Sequence, residues 1–237
     1  MHSIATIPLT SLALLLVPVA AVLWIQYRWS LDYKEGLYAV GRMLGQLLII
    51  GYFLGSIFNS KNAWVIVLIL SIMVIASSWI ALRTVKMNRK QLFIIVLISI
   101  LVGSGSVLLL VTQGVLQIDP WYKATIMIPL AGMIFSNALN SISLAAERFN
   151  DEYSRGKAYE AARSIAYQTA LIPIINALFA VGLVSLPGMM TGQILSGVDP
   201  LIAARYQIMV MAMIFASGGL STAIYLLLLK KLLLGKA

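Results

Sequence analysis

The twenty residues VGLVSLPGMMTGQILSGVDP, Val181 to Pro200, decide how this chain is read. They are apolar enough to lie in a membrane, yet they hold Pro187, several glycines, Gln193 and a closing Asp199. Proline has no amide hydrogen, and its ring collides with the carbonyl four residues earlier, here at Leu183, while Gly188 relaxes the backbone just beyond. Backbone groups freed in this way are tolerated at membrane depth only against protein or a wet cavity. The stretch therefore reads as a membrane helix broken at Pro187-Gly188. A packing kink is the plainer alternative, because glycine and proline are common in membrane helices.

Composition sets the class around that stretch. Of 237 residues, 61% are hydrophobic and 11% charged, with a mean hydropathy of +0.95. Soluble domains are apolar to roughly 45–50%, so this is an all-α polytopic membrane protein. The net charge of +9 does not indicate nucleic acid, because the basic residues sit in short gaps between apolar runs rather than on one polar face. The chain has no cysteine, and its one histidine, His2, is terminal. A disulfide framework and a thiolate metal site are thus excluded.

At about twenty apolar residues per crossing, the chain gives seven spans, at about residues 7–26, 37–58, 63–82, 91–113, 124–146, 167–196 and 201–229. Pro18 is a kink point in the first, and Gly103 to Ser106, GSGS, reads as a flexible point in the fourth. The polar segment 147–166 alternates in charge and reads as a surface helix. Basic residues fix the orientation. With the N-terminus outside and the C-terminus cytoplasmic, thirteen of the seventeen lie inside, and Lys61, Lys123 and Arg205 remain outside with Arg42 in a span. A sixth helix that enters at Tyr167 and rises ~1.5 Å per residue reaches the outer interface near Pro187.

Several chemistries lack their parts. No histidine or cysteine lies in a span, and no G-x-x-x-x-G-K-[ST] loop is present, so the chain is not expected to be an enzyme or to hydrolyse ATP itself. No carboxylate falls in mid-span, which disfavours a gradient-driven transporter. The polar candidates for a substrate pathway are Arg42 with Gln46 one turn on, Asn137, and the group Pro187, Gly188, Met189, Met190, Gln193 and Asp199. An ionised residue in a span is functional by default, although Arg42 could equally snorkel to the interface. Asn137, Asn140 and Ser141 could also be an interhelical hydrogen-bond patch. Seven of the eleven methionines lie from Met127 onward, as soft ligands suited to Cu(I) or as ordinary gap-fillers.

The run GLVSLPGMMTGQILSGVDP with AARYQIMVM, Gly182 to Met211, resembles the signature of the UPF0014 family of FetB-type membrane permeases. VGRMLGQLLIIGYFL at Val40 to Leu54 and IPLAGMIFSNALNSISL at Ile128 to Leu144 fit as well. The resemblance implies the permease subunit of an ABC-type exporter, with metal ion efflux, iron in bacteria, and aluminium tolerance in related plant proteins. It also implies a homodimer of permease chains in the bacterial inner membrane, paired with a cytoplasmic ATP-binding cassette subunit. On this reading the permease binds no cofactor, ATP belongs to the partner, and Glu147, Arg148, Asp151, Arg155 and Arg163 face the ATPase. The segment Glu147 to Ala170 is more compact than the family pattern. The alternatives are a gradient-driven metal or small-solute transporter and a membrane scaffold that moves nothing.

Overall fold

The structure, a computed structural model, describes residues 8–60, 62–83, 85 and 89–234. Lys61, Lys86 and Lys236, among the basic residues used above to read topology, lie outside them, as does His2. Among the described residues the chain is helical, without a β-sheet, as an all-α polytopic protein requires. It divides into two compact units, Met1–Asn59 and Ser60–Ala237.

The first unit is a helical hairpin of α1, Thr10–Arg28, and α2, Tyr33–Phe58. Pro18 acts as expected, since α1 loosens into a turn at Leu14 and Leu15, where the proline ring meets the carbonyl four residues back. Asp32 caps α2, its carboxylate accepting from the amides of Lys34 and Glu35 at 3.1 and 3.3 Å. The two helices meet closely at Gly36, where a Cβ would come within 2.9 Å of Gln26 Oε1.

The second unit holds α3, Ala63–Ala81; α4, Arg89–Val115; α5, Ala124–Ser154; α6, Tyr159–Ala180; α7, Gly188–Leu195; and α8, Pro200–Leu234. Helix α5 packs against α3, α6 and α8 and carries the core through Ile134, Ala138, Ile142 and Phe149. Ala162, Ala166 and Ala170 recur every fourth residue on α6 and are fully buried, so small side chains set the close approach there. Among the described residues six helices, α1 to α5 and α8, are long and apolar enough to cross a bilayer. Helix α6 has 22 residues and similar reach but is more polar, with Glu160 and Arg163 in its first turns.

Three local expectations change. The GSGS segment is not a flexible point: it lies within α4, which is π-helical over Ile100–Ser104 and again over Leu110–Val115. Gly103 and Ser104 are buried, and Ser104 Oγ and Ser221 Oγ share a 2.8 Å hydrogen bond to α8. The polar segment after residue 146 is not a separate surface helix either. Helix α5 runs unbroken to Ser154, and at 1.5 Å per residue its 31 residues reach ~46 Å, well past a ~30 Å hydrocarbon core. Its last turns, the short turn at Gly156 (φ +84°) and the start of α6 make up that segment.

The third concerns the break. Interruption between α6 and α7 is present, and Pro187 is the residue just before α7. It begins earlier than Pro187, however, because α6 stops at Ala180. Gly182 then turns at φ +85°, and its amide donates to the Ser185 carbonyl at 2.9 Å. The helix ends where Val181 turns extended (φ −63°, ψ +130°), and the positive φ of Gly182 completes a type II turn in which the Leu183 amide donates to the Ala180 carbonyl at 3.3 Å, all before the proline ring is reached.

Candidate functional site

The second unit has two candidate sites, one at each end. At one, α7 lies between two cavities. The first, of about 730 Å³, is walled by the segment after α4, the start of α5, one face of α7, and Tyr206 and Met209 of α8. Met189 and Gln193 both line it, four residues apart and thus on one side of α7. Met133 joins them from α5, and Asp119 and Lys123 sit at its rim. The second cavity, of about 540 Å³, lies on the other side of α7 and is lined by Met190, Gln207, Met211 and the unwound Val181 and Gly182. Each cavity is lined by a glutamine, Gln193 in the first and Gln207 in the second, whose side-chain Oε1 is buried and has no hydrogen-bond partner. Such orphaned acceptors cost free energy unless a ligand, a water or a cation meets them.

The residues singled out from sequence are thus partly brought together. Met189 and Gln193 share one cavity, and Met190 sits in its neighbour. Asp199 has another task, since its Oδ1 accepts from the amides of Leu201 and Ile202 at 2.8 and 3.3 Å and so caps α8. Pro187 and Gly188 start α7. Asn137 is half-buried on α5, and its Nδ2 donates to the Met133 carbonyl at 2.8 Å. Ser141, one turn on, packs against Gly218 of α8, where an added Cβ would lie 2.9 Å from Ser141 Oγ, while Asn140 is exposed. Arg42 and Gln46 belong to the first unit. With the Gln46 amide turned so that its oxygen faces the guanidinium, Oε1 accepts from Arg42 Nε at 3.0 Å and Nη2 at 3.3 Å.

Sequence reasoning missed Gln207, the one amide in the run from Leu201 to Leu229, and it missed the rim pair Asp119 and Lys123. The signal for Gln207 was an uncharged polar residue one turn before Met211 in a largely apolar helix. A larger groove of about 850 Å³ between α3 and α4 is a weaker candidate. Its lining is apolar, and the hydroxyls of Ser71, Ser106 and Thr112 all donate to carbonyls of their own helix.

At the other end, charged and aromatic groups lock α5, α6 and α8. Glu152 is only 2% exposed and pairs with Arg148 at 2.7 Å and Lys157 at 2.6 Å. Glu160 pairs with Arg163 at 2.7 Å and with Lys230 of α8 at 2.6 Å. Tyr159 lies under both cations, 5.8 Å from Arg163 and 5.1 Å from Lys230, and its hydroxyl donates to the Leu226 carbonyl. Phe149 meets Tyr159 edge-on and stacks on Tyr153. Of the residues expected to face a partner, Arg148 and Arg163 serve this lock, while Glu147, Asp151 and Arg155 are exposed.

Comparison with known proteins agrees with this architecture. The profile of the uncharacterised protein family UPF0014 matches residues 9–158 and 153–234. A UPF0014 membrane protein of Synechocystis is 36% identical over 220 residues, covering 86% of this chain and 84% of that one. The Escherichia coli protein named probable iron export permease FetB is 35% identical over 230 residues, 90% of this chain and 86% of its own. ALUMINUM SENSITIVE 3 of Arabidopsis thaliana is 32% identical over 226 residues, 89% of this chain and 81% of its own. No solved structure matches. With its polytopic helical architecture and these matches along nearly its whole length, the chain belongs to the UPF0014 family of membrane proteins.

Proposed function

We propose that the chain is the permease subunit of an ATP-driven exporter of metal cations, iron foremost. It works as a pair of chains in a bacterial cytoplasmic membrane, with ATP hydrolysis on a separate ATP-binding cassette subunit. The observation that carries this reading is the 35% identity to an iron export permease across 90% of the chain. The two ends of the second unit support it. The end at Glu147 to Arg163 offers the exposed charges Glu147, Asp151 and Arg155 on a rigid base, which suits docking of an ATPase. The end at α7 places two cavities beside the interruption between α6 and α7, which suits an outlet for cargo. Placing the first end in the cytoplasm and the second outside follows from the distribution of lysine and arginine.

In inside-out vesicles that hold the permease and its copurified ATPase, radioactive iron is expected to accumulate only with ATP. Failure of any ATPase to copurify, or ATP-independent uptake, would overturn the reading. Charge reversal of Arg155 and Arg163 together should abolish stimulation of the ATPase by the permease while membrane insertion is retained. Arg155 is exposed at the turn, and Arg163 is one of the two cations, with Lys230, that join Glu160 to the Tyr159 ring, so the pair alters both the docking surface and its base.

Arg42→Ala should insert normally and lose about tenfold or more of the ATP-driven efflux, as expected for an ionised group kept inside a span for a purpose. Retained efflux, together with labelling from lipid of a cysteine at position 42, would assign Arg42 to snorkelling instead.

A further inference from the structure

The methionines around α7 carry an inference beyond iron. Three helices each bring one thioether to the 730 Å³ cavity: Met133 from α5, Met189 from α7 and Met209 from α8. Gap-filling methionines occupy space in a core, whereas these three border open volume. Gln193 lines the same cavity, and its Oε1 is buried without a partner, so a turn of this side chain toward the open volume would give that oxygen a cation to meet.

The character of that cation follows from what the walls do and do not offer. Hard divalent ions take several carboxylate or imidazole ligands. Among the described residues no group of three or more His, Asp or Glu side chains is placed to hold a metal. The carboxylate at the mouth, Asp119, is offset by Lys123, and Asp199 is committed to capping α8. A neutral wall also selects by charge. The Born cost of burial rises with the square of the charge. A divalent ion would thus need compensation that thioethers and an amide oxygen do not give. Thioethers are soft and select Cu(I).

We propose that Met133, Met189 and Met209, with Gln193 Oε1, form a binding site for a soft monovalent cation of the Cu(I) class, for which Ag(I) is a redox-inert stand-in. The site lies at the α7 end of the second unit, in the larger of the two cavities that α7 separates. Its neighbour, with Met190, Met211 and Gln207, has one thioether fewer and serves as the internal comparison.

The test is equilibrium binding of Ag(I) to the purified permease in detergent, without ATP or an ATPase, followed by Cu(I) competition against a chromogenic Cu(I) chelator. Wild type should bind one high-affinity Ag(I) per chain. Met133→Leu with Met189→Leu and Met209→Leu, which conserves volume, should weaken binding by about a hundredfold or more. Met190→Leu with Met211→Leu should leave that binding within about twofold. Gln193→Leu should weaken it by about tenfold, as loss of one charge-assisted partner implies. Excess Fe(II) or Mn(II) should not displace Ag(I). If the triple variant fails to fold, each single Met→Leu variant should still weaken binding by about tenfold. No saturable binding in wild type, unchanged binding in the methionine variants, or displacement by Fe(II) would each overturn the proposal. Because binding is read on the permease alone, that outcome leaves the iron-export reading standing. Loss of ATP-driven iron efflux in the vesicle assay likewise leaves this site standing.

Discussion

Gly103→Ala is expected to lower the thermal transition of the detergent-solubilised protein by about 2–12 °C, the range that an overpacking penalty of about 1–3 kcal/mol produces in a chain of this size. The reason is the contact of α4 with α8. A Cβ on Gly103 would stand 2.7 Å from both the Cα and the amide nitrogen of Ser221, and 2.6 Å from its Oγ. A flexible side chain could move aside, but backbone cannot, so α4 must shift away from α8. That shift would stretch the 2.8 Å hydrogen bond between Ser104 and Ser221 and disturb the π-helical turn that holds Gly103 in place. Two controls isolate the cause. Gly105→Ala, where a new Cβ meets nothing within 4 Å, should leave the transition unchanged apart from a small gain in helix propensity. Ser221→Gly should not rescue Gly103→Ala, because the closest obstacles include main-chain atoms. Rescue by Ser221→Gly would show that only the side chain is in the way.

The same glycine shows how far the sequence could be read. Apolar runs of about twenty residues announce membrane helices with little ambiguity, since lipid allows few other structures, and the polytopic all-α class was legible on that ground. Local signals from a side chain acting on its own backbone were present in the sequence, although Asp199 was read as part of a substrate pathway rather than as a cap. Asp32, Asn62 and Asp199 each stand just before a helix and cap it. Pro18 loosens α1 at the residue its ring must strike. What was not legible depends on a partner far along the chain. Gly103 reads as flexibility until Ser221 is placed against it. Glu152 reads as a solvated charge until Arg148 and Lys157 close over it. In the candidate site, Met189 and Gln193 could be selected from their own helix, whereas Met133, Met209 and Asp119 joined them only once α5, α8 and the segment after α4 were in position.

Gly182→Val is expected to cut ATP-driven efflux to about a tenth or less, while Pro187→Ala retains activity within about twofold, an order that sequence alone would reverse. Read from the sequence, Pro187 is the breaker, and its replacement should restore a continuous helix. In the structure Pro187 has φ −62° and ψ +148°, makes no side-chain cap, and stands seven residues beyond the last residue of α6. Alanine takes that extended conformation without strain. Gly182, by contrast, holds φ +85° with open space around it, so any penalty for a side chain there comes from the backbone alone. A β-branched residue at such φ costs about 1–3 kcal/mol. The chain escapes that cost by leaving the left-handed region, which sacrifices the 2.9 Å bond from the Gly182 amide to Ser185 and lets α6 wind on past Ala180. Helix α7 is then displaced, and with it Met189, Met190 and Gln193, the residues that face the two cavities. Gly182→Asn, a residue that tolerates positive φ, should fall between glycine and valine. Efflux from loaded vesicles, measured beside the thermal transition, separates a rearranged outlet from an unfolded protein. Full efflux in Gly182→Val together with a dead Pro187→Ala would mean that the proline, after all, sets the path between α6 and α7.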